Sequence, residues 1–406
     1  MTRPRRSSAK RAAAGVVLVA LLSALSPLEA TSPPNPYLED LSALFAELDA
    51  NYPFFEVKGI EKEWQARKKL LAKRAQLCRS DEEFGAVILD VLRGLRDGHC
   101  RLEAMRASPP PKAVAWPGVA LLPGPKGTAL VMETGGNLKS ALPPGTIVTR
   151  IDGKPAAKAM ELRTQKAWQE GGFFSSQQRA RFFEYRQAFS GDRGSTTEIR
   201  YLDGRKQKKL TLIANQELKG WAHNYHLPDG SVTAGKSVYH ASLDGGVGYL
   251  YLRRMDESVE PGIRAALTAY PEATGWIIDL RGNTGGGYEK SLGSLCEGFR
   301  KKVAVIIDAG AISAAETFAR DLAEDQSARL FGSTTAGSSS TKKVYELPSG
   351  FAKIRYSVGT RRGLKGKSIE FHGIAPDVEV SADPRDLREG RNTEIEAAKQ
   401  WLSGKS

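Results

Sequence analysis

The chain has 406 residues, 41% of them hydrophobic and 26% charged, with a formal net charge of +13. That length and balance suit a globular protein of two or three domains with a full core, and exclude a disordered or collagen-like chain. The basic charge comes with no nucleic-acid motif, so a nucleic-acid partner is not expected.

The first thirty residues stand apart. "MTRPRRSSAKR" is basic, "AAAGVVLVALLSAL" is apolar and "SPLEATSPP" is a small-residue exit. This pattern predicts a signal peptide over 1–30, cleaved after Ala30, and an exported protein, periplasmic or extracellular. The apolar run Ala12–Leu25 is short for a bilayer span, so no stable membrane span is expected after cleavage. Cys78, Cys100 and Cys296 allow at most one disulfide in an oxidising compartment. Neither they nor the five histidines show metal-ligand spacing, so no metal and no cofactor is expected.

Residues 37–105 form the first unit. "YLEDLSALFAELDANY", "WQARKKLLAKRAQL" and "DEEFGAVILDVLRGLRD" repeat apolar residues three and four apart, which predicts three amphipathic helices. Ser80 caps the third. Helices this short need a neighbour to bury their apolar stripes, so the unit is a subdomain. "RASPPPKAVAWPG" reads as a linker. Over 112–214 the period shifts towards two. "GVALLPGPKGTALVMETGG" and "GTIVTRIDGKPA" predict short strands, and "TTEIRYLDGRKQKKLTLIA" a hairpin around Asp203-Gly204. Two helical stretches, "KAMELRTQKAWQEGG" and "SSQQRARFFEYRQAF", interrupt this β-rich module.

Residues 215–404 alternate strand and helix. "GVGYLYLRRM", "TGWIIDLRG", "KKVAVIIDAG" and "ARLFGST" are predicted strands; "EPGIRAALTAY", "YEKSLGSLCEGF" and the stretch after Ser313 are helices. This alternation predicts a mostly parallel sheet covered on both faces, with chemistry at the carboxyl ends of its strands. "DLRGNTGGG" and "DAGAISAAE" are two such ends.

Ser313 opens the second. It fits a capping box with Glu316 three residues on. It equally fits a nucleophile at a helix start, where amides steady an oxyanion. Ala314 N–H and a glycine amide from Gly285 or Gly286 in "GNTGGG" would be the oxyanion donors. That loop lacks the Lys-Ser/Thr ending of a P-loop. Asp279 and Arg281 beside it fit an ion pair that shapes the loop. For the base, His99, His223, His226, His240 and His372 are all open on composition alone.

Taken in order, "LRDGH", "GVGYLYL", "GWIIDLRGNTGGG", "ISAAETFA", "ARLFGSTTAG" and "HGIAPDVEV" resemble the C-terminal-processing (tail-specific) serine peptidases. The resemblance covers about 37–404. It implies a Clp-protease/crotonase-like layered α/β core, a helical N-terminal subdomain, and a PDZ-like module in which "LPPGTIVTRIDGKP" is the matching run. It assigns Ser313 as nucleophile. Many members pair that serine with a lysine in a T-x-G-K segment; here Ser338 stands at the lysine position, with Lys342 and Lys343 in a following turn. The tricorn-like branch uses histidine and glutamate, which implies His99 as base and Glu370 as its support. That branch also has a serine before the histidine, where this chain has Gly98.

The resemblance therefore implies an exported serine peptidase acting on peptides or unfolded polypeptide tails, with activity rising through roughly pH 6–7 as an imidazole loses its proton. The alternative is an inactive scaffold of the same fold that binds peptides or a hydrophobic ligand.

Overall fold

The computed structural model describes residues 35–109, 113–171, 173–217, 225–287, 299, 301–325 and 328–404. The expected signal peptide over 1–30, all but Phe299 of the helix expected over 288–299, Cys296 and His223 lie outside the described residues. No helix among the described residues is long and apolar enough to cross a membrane.

The three N-terminal helices form as their periodicity requires: α1 (Pro36–Asn51), α2 (Glu61–Leu77) and α3 (Asp81–Gly94). Ser80 Oγ accepts from Glu83 N at 3.3 Å, and Asp81, Glu82 and Glu83 put negative charge on the first turn of α3. The neighbour that buries their apolar stripes comes from far along the chain. It is a hairpin of Ser340–Glu346 and Ala352–Thr360. Strand Arg101–Met105 pairs antiparallel with the outer side of Ala352–Thr360 and completes a three-stranded sheet. Leu41, Leu44, Phe84, Ile88 and Leu92 share one core with Phe351, Ile354 and Tyr356. This sheet matters for the site, because His99 precedes one of its strands and Ser338–Ser339 precede another.

The middle module is a six-stranded sheet, with Val119–Pro123, Ala129–Thr134, Ile147–Ile151, Thr196–Asp203 and Lys206–Ile213 in that order and Lys154–Pro155 beside Ile147–Ile151. All its pairings are antiparallel. The stretch read as a linker contributes a two-residue strand, Ala115–Trp116, paired with Gln216–Glu217. Helices α4 (Ala156–Gln169) and α5 (Gln177–Arg186) interrupt the sheet as expected, and Ser176 Oγ caps α5 by accepting from Arg179 N at 3.2 Å.

The third layer is a seven-stranded sheet in the order Val232–Thr233, Val238–Leu243, Val247–Leu252, Trp276–Asp279, Val303–Ile307, Arg329–Gly332 and Val378–Glu379. From Val247–Leu252 onward every pairing is parallel. Trp276–Asp279 and Val303–Ile307 are buried along their whole length, which is why they read as continuous apolar runs. Val259–Ala269 and Ala314–Asp325 pack into the core on one face. The C-terminal helix Thr393–Leu402 covers the other through Ile395 and Ala398. The mixed α/β architecture expected from sequence is thus present.

Candidate active site

Ser313 sits where the buried strand Val303–Ile307 gives way to helix Ala314–Asp325, with a φ of +57°. A serine in this region strains its backbone, and such strain persists only where the surroundings hold it. Here they do. Ser313 N donates to Ser338 O at 2.8 Å and to Glu316 Oε2 at 3.1 Å, and its carbonyl accepts from Ser339 Oγ at 2.9 Å. Only half of the capping box forms. Glu316 reaches back to Ser313 N, but Glu316 N donates to the Ser313 carbonyl at 3.0 Å and not to its hydroxyl. An N-cap serine would take an extended backbone and spend its hydroxyl on an amide. The Ser313 hydroxyl takes no hydrogen bond among the described residues.

The glycine loop packs directly on this serine. A Cβ on Gly285, which has a φ of +67°, would stand 2.7 Å from Ser313 Cβ and 2.8 Å from Ile312 O. Asn283 fixes the loop: Nδ2 donates to Leu252 O at 2.7 Å, the carbonyl accepts from Ile312 N at 3.0 Å, and Oδ1 accepts from Gly285 N at 2.9 Å. The Gly285 amide is therefore engaged. Gly286 N and Ala314 N donate to no acceptor among the described residues. Asp308 Oδ1 accepts from Gly282 N and Gly310 N, each at 2.9 Å, and so ties both strand ends together. Asp279 and Arg281 form the expected buried ion pair, at 2.5 Å between Oδ2 and Nη2.

His99 follows α3 in the turn before strand Arg101–Met105. Its ring Nδ1 lies 3.4 Å from Ser338 Oγ, and no hydrogen bond joins it to the Ser313 hydroxyl. Ser338 touches both residues, Ser313 through its carbonyl and His99 through its hydroxyl. Apo sites often hold such pairs further apart than the reacting complex does. Burial pushes the His99 pKa down to about 4, against the opposing charge of Asp97. The imidazole is thus neutral well below the pH 6–7 range expected from sequence.

Glu370 is buried beside it. Its Oε1 accepts from Lys58 Nζ at 2.9 Å and its Oε2 from Ser339 N at 3.0 Å. Burial, reinforced by the Asp97 charge, pushes its pKa up to about 8, while Lys58 opposes that shift. Asp97, His99 and Glu370 have donor atoms within 4.8 Å of one another, a spacing a metal ion accepts. The Lys58 ammonium already lies among these carboxylates, 2.9 Å from Glu370 and 3.5 Å from Asp97, and would repel a divalent cation.

Several residues here were not singled out from sequence. Lys58 Nζ donates to Tyr52 Oη, Arg96 O and Glu370, a fully satisfied buried ammonium. Asp97 accepts from His99 N at 2.8 Å and Tyr52 Oη at 3.0 Å. Glu316, read as a capping residue, gathers the 335–339 loop as well. It accepts from Thr335 Oγ1, Gly337 N, Ser338 N and Ser339 Oγ at 2.6 to 2.9 Å. Lys342 and Lys343 lie on a strand and not in a turn, with both side chains exposed. Lys343 pairs with Glu47. His372 is exposed, and His240 lies on Val238–Leu243 against Tyr270.

Residues 287–380, which contain Ser313, Ser338 and Glu370 but not His99, match the model of Peptidase family S41. Among solved structures the fold is similar to mature CPAF, at 13% identity over 91% of this chain and 98% of that chain, with a TM-score of 0.62. It is likewise similar to mature CPAF complexed with lactacystin, at 14% identity over 91% of this chain and 99% of that chain, with a TM-score of 0.61. No curated protein matches the chain. By the family match over 287–380, on this fold, the chain is a serine-type peptidase carrying a peptidase family S41 segment.

Proposed function

We propose that the chain is an exported peptidase in which Ser313 is the nucleophile, His99 the general base and Glu370 the residue that orients His99. Ser313 Oγ attacks the carbonyl carbon of a peptide bond. His99 takes the hydroxyl proton and returns it to the amine as the C–N bond breaks. A water then attacks the acyl-serine carbonyl, His99 again takes the proton and returns it to Ser313 Oγ as the acyl C–O bond breaks, and the carboxylic acid product leaves. The oxyanion rests on Ala314 N and Gly286 N, which donate to no acceptor among the described residues. One lost donor of this kind costs ~10²–10³ in kcat. Gly285 shapes the hole and does not donate, since its amide is spent on Asn283.

The observation that carries this reading is the strained Ser313, with a φ of +57° and an unengaged hydroxyl over a glycine loop. A surface serine needs neither feature. Substrates are peptides or unfolded polypeptide tails, and the β-rich 112–214 module is PDZ-like, suited to take a chain end as an added strand. The test is hydrolysis of an unfolded polypeptide, with new amino termini counted over time. Wild-type turnover that disappears in Ser313→Ala and His99→Ala is the expected result. Turnover that survives Ser313→Ala overturns the mechanism. A wild-type protein that binds such chains without cutting them favours the inactive scaffold.

A further inference from the structure

Two parallel neighbours, Trp276–Asp279 and Val303–Ile307, each end in a loop that carries one donor of the proposed oxyanion hole. The first loop leads to Gly286 N, and the second to Ser313 and Ala314 N. One carboxylate oxygen serves both loops. Asp308 Oδ1 accepts from Gly282 N and from Gly310 N, each at 2.9 Å. The other oxygen, Oδ2, accepts from Tyr225 Oη, which itself accepts from Arg186 Nη2 at 2.6 Å. We infer that Asp308, held by Tyr225, is the positioning residue of the oxyanion hole and fixes how far apart Gly286 N and Ala314 N stand. The inference rests on the reading of Ser313 as nucleophile, and assigns what sets the spacing of its anion donors.

The two loops meet closely enough for one side chain to control their separation. A Cβ on Gly310 would stand 2.6 Å from Gly282 Cα and 2.8 Å from both Gly282 N and Asp308 Oδ1. The backbones therefore touch with no side chain between them, at the point where the carboxylate bridges their amides. Further along, Ile312 N donates to Asn283 O at 3.0 Å, and the Gly285 backbone packs on Ser313. Asp308 thus sets the base of a contact that runs up to the nucleophile. Hydrogen bonds to a carboxylate are roughly twice as strong as neutral ones, which suits that task.

Tyr225 is pinned in its turn. The guanidinium groups of Arg186 and Arg281 stand over its ring, 4.7 and 4.6 Å from the centroid. Arg281 is fixed by its buried pair with Asp279, at the end of the first strand. Arg186 comes from α5 and reaches within 4.0 Å of Asp308 Oδ2. A guanidinium can only donate, so Tyr225 Oη accepts from Arg186 and turns its own proton towards Asp308. With Oδ2 taken by the phenol, Oδ1 stays aimed at the two amides.

The test uses the full chain with Asp308→Ala, Asp308→Asn, Tyr225→Phe and the combination of the last two. Donors must reach the oxyanion at about 2.7–3.1 Å, and about 1 Å of misplacement costs on the order of 10²-fold. Asp308→Ala should lower kcat by about that factor while KM stays within about two-fold, since the hole acts on the transition state. Asp308→Asn keeps an oxygen for the two amides and disturbs only the Tyr225 end, as Tyr225→Phe does. These two should match, each with a smaller fall in kcat, and their combination should cost no more than either alone. They carry the test should Asp308→Ala not fold. Independently of turnover, amide NMR of glycine- and alanine-labelled protein should show the Gly286 and Ala314 signals displaced in Tyr225→Phe. Unchanged kcat and unmoved signals in Tyr225→Phe and Asp308→Asn, with Ser313→Ala still inactive, overturn the inference and leave the peptidase standing. A raised KM with kcat intact overturns it as well. A wild-type protein without turnover defeats the peptidase reading, and the amide signals still decide whether Asp308 and Tyr225 set the donor spacing.

Discussion

Replacing Ser313 by glycine and, separately, by alanine isolates the strain stored at the nucleophile. Both variants lose a hydroxyl that makes no hydrogen bond among the described residues, so the difference between them lies in the backbone. An L-residue in the left-handed region costs about 1–2 kcal/mol, and glycine escapes that cost. Against this, glycine gives up about 0.5–1 kcal/mol more chain entropy than alanine on folding. The φ of +57° therefore predicts Ser313→Gly to be about 0.5–1 kcal/mol more stable than Ser313→Ala, a two- to five-fold change in the folding equilibrium. Both variants should be inactive. Urea unfolding of the two proteins side by side measures the difference. If Ser313→Gly proves the less stable by the ordinary glycine cost, the backbone is relaxed and the strained-nucleophile argument fails.

Other changes probe the surroundings of that serine. Gly285→Ala would put a Cβ 2.7 Å from Ser313 Cβ; displacing a reacting group by about 1 Å costs on the order of 10²-fold. Reaction of Ser313 with a fluorophosphonate should slow by about that much, and an unchanged rate would contradict the packing. Lys58→Met leaves two buried carboxylates without their cation, at a cost of about 3–5 kcal/mol in unfolding free energy; a loss below about 1 kcal/mol would show that the cluster is solvated. The pH profile of kcat/KM should rise with pH, since His99 and Glu370 both work in their deprotonated forms. Its limbs should lie near the depressed His99 value of about 4 and the raised Glu370 value of about 8. A single limb near the free-imidazole range of about 6.5 would mean that neither group is buried as described.

The parallel sheet was readable because strands such as Val303–Ile307 are buried on both faces and appear as unbroken apolar runs between turn residues. Ser313, the glycine loop and their shared strand ends followed from the same pattern. The sheet of Arg101–Met105, Ser340–Glu346 and Ala352–Thr360 was not readable. Its outer strand "STKKVYE" is mostly exposed, and the helices it packs against lie some 250 residues away, a contact that no local period records. For that reason Lys342 and Lys343 resembled a turn.

The auxiliary site residues were hidden for similar reasons. Lys58 is a lone lysine in "FFEVKG", and only its burial against Glu370 and Asp97 gives it a role. That aromatic setting was the one available hint. Ser175 and Ser176 look alike as helix starts in "FFSSQQ", and their partners separate them: one caps α5, the other faces Ser338. The engaged Gly285 amide depends on the rotamer of Asn283, which spacing cannot supply. The lowered His99 pKa likewise comes from burial created by distant segments.

The central claim is that the hydroxyl of Ser313 is activated by His99. Labelling the mature protein with a fluorophosphonate, then locating the adduct by mass spectrometry of its peptides, tests this directly. The predicted result is a single adduct on Ser313, whose formation slows by ~10² or more in His99→Ala. An adduct on another serine, or labelling of Ser313 at the same rate without His99, would contradict the account.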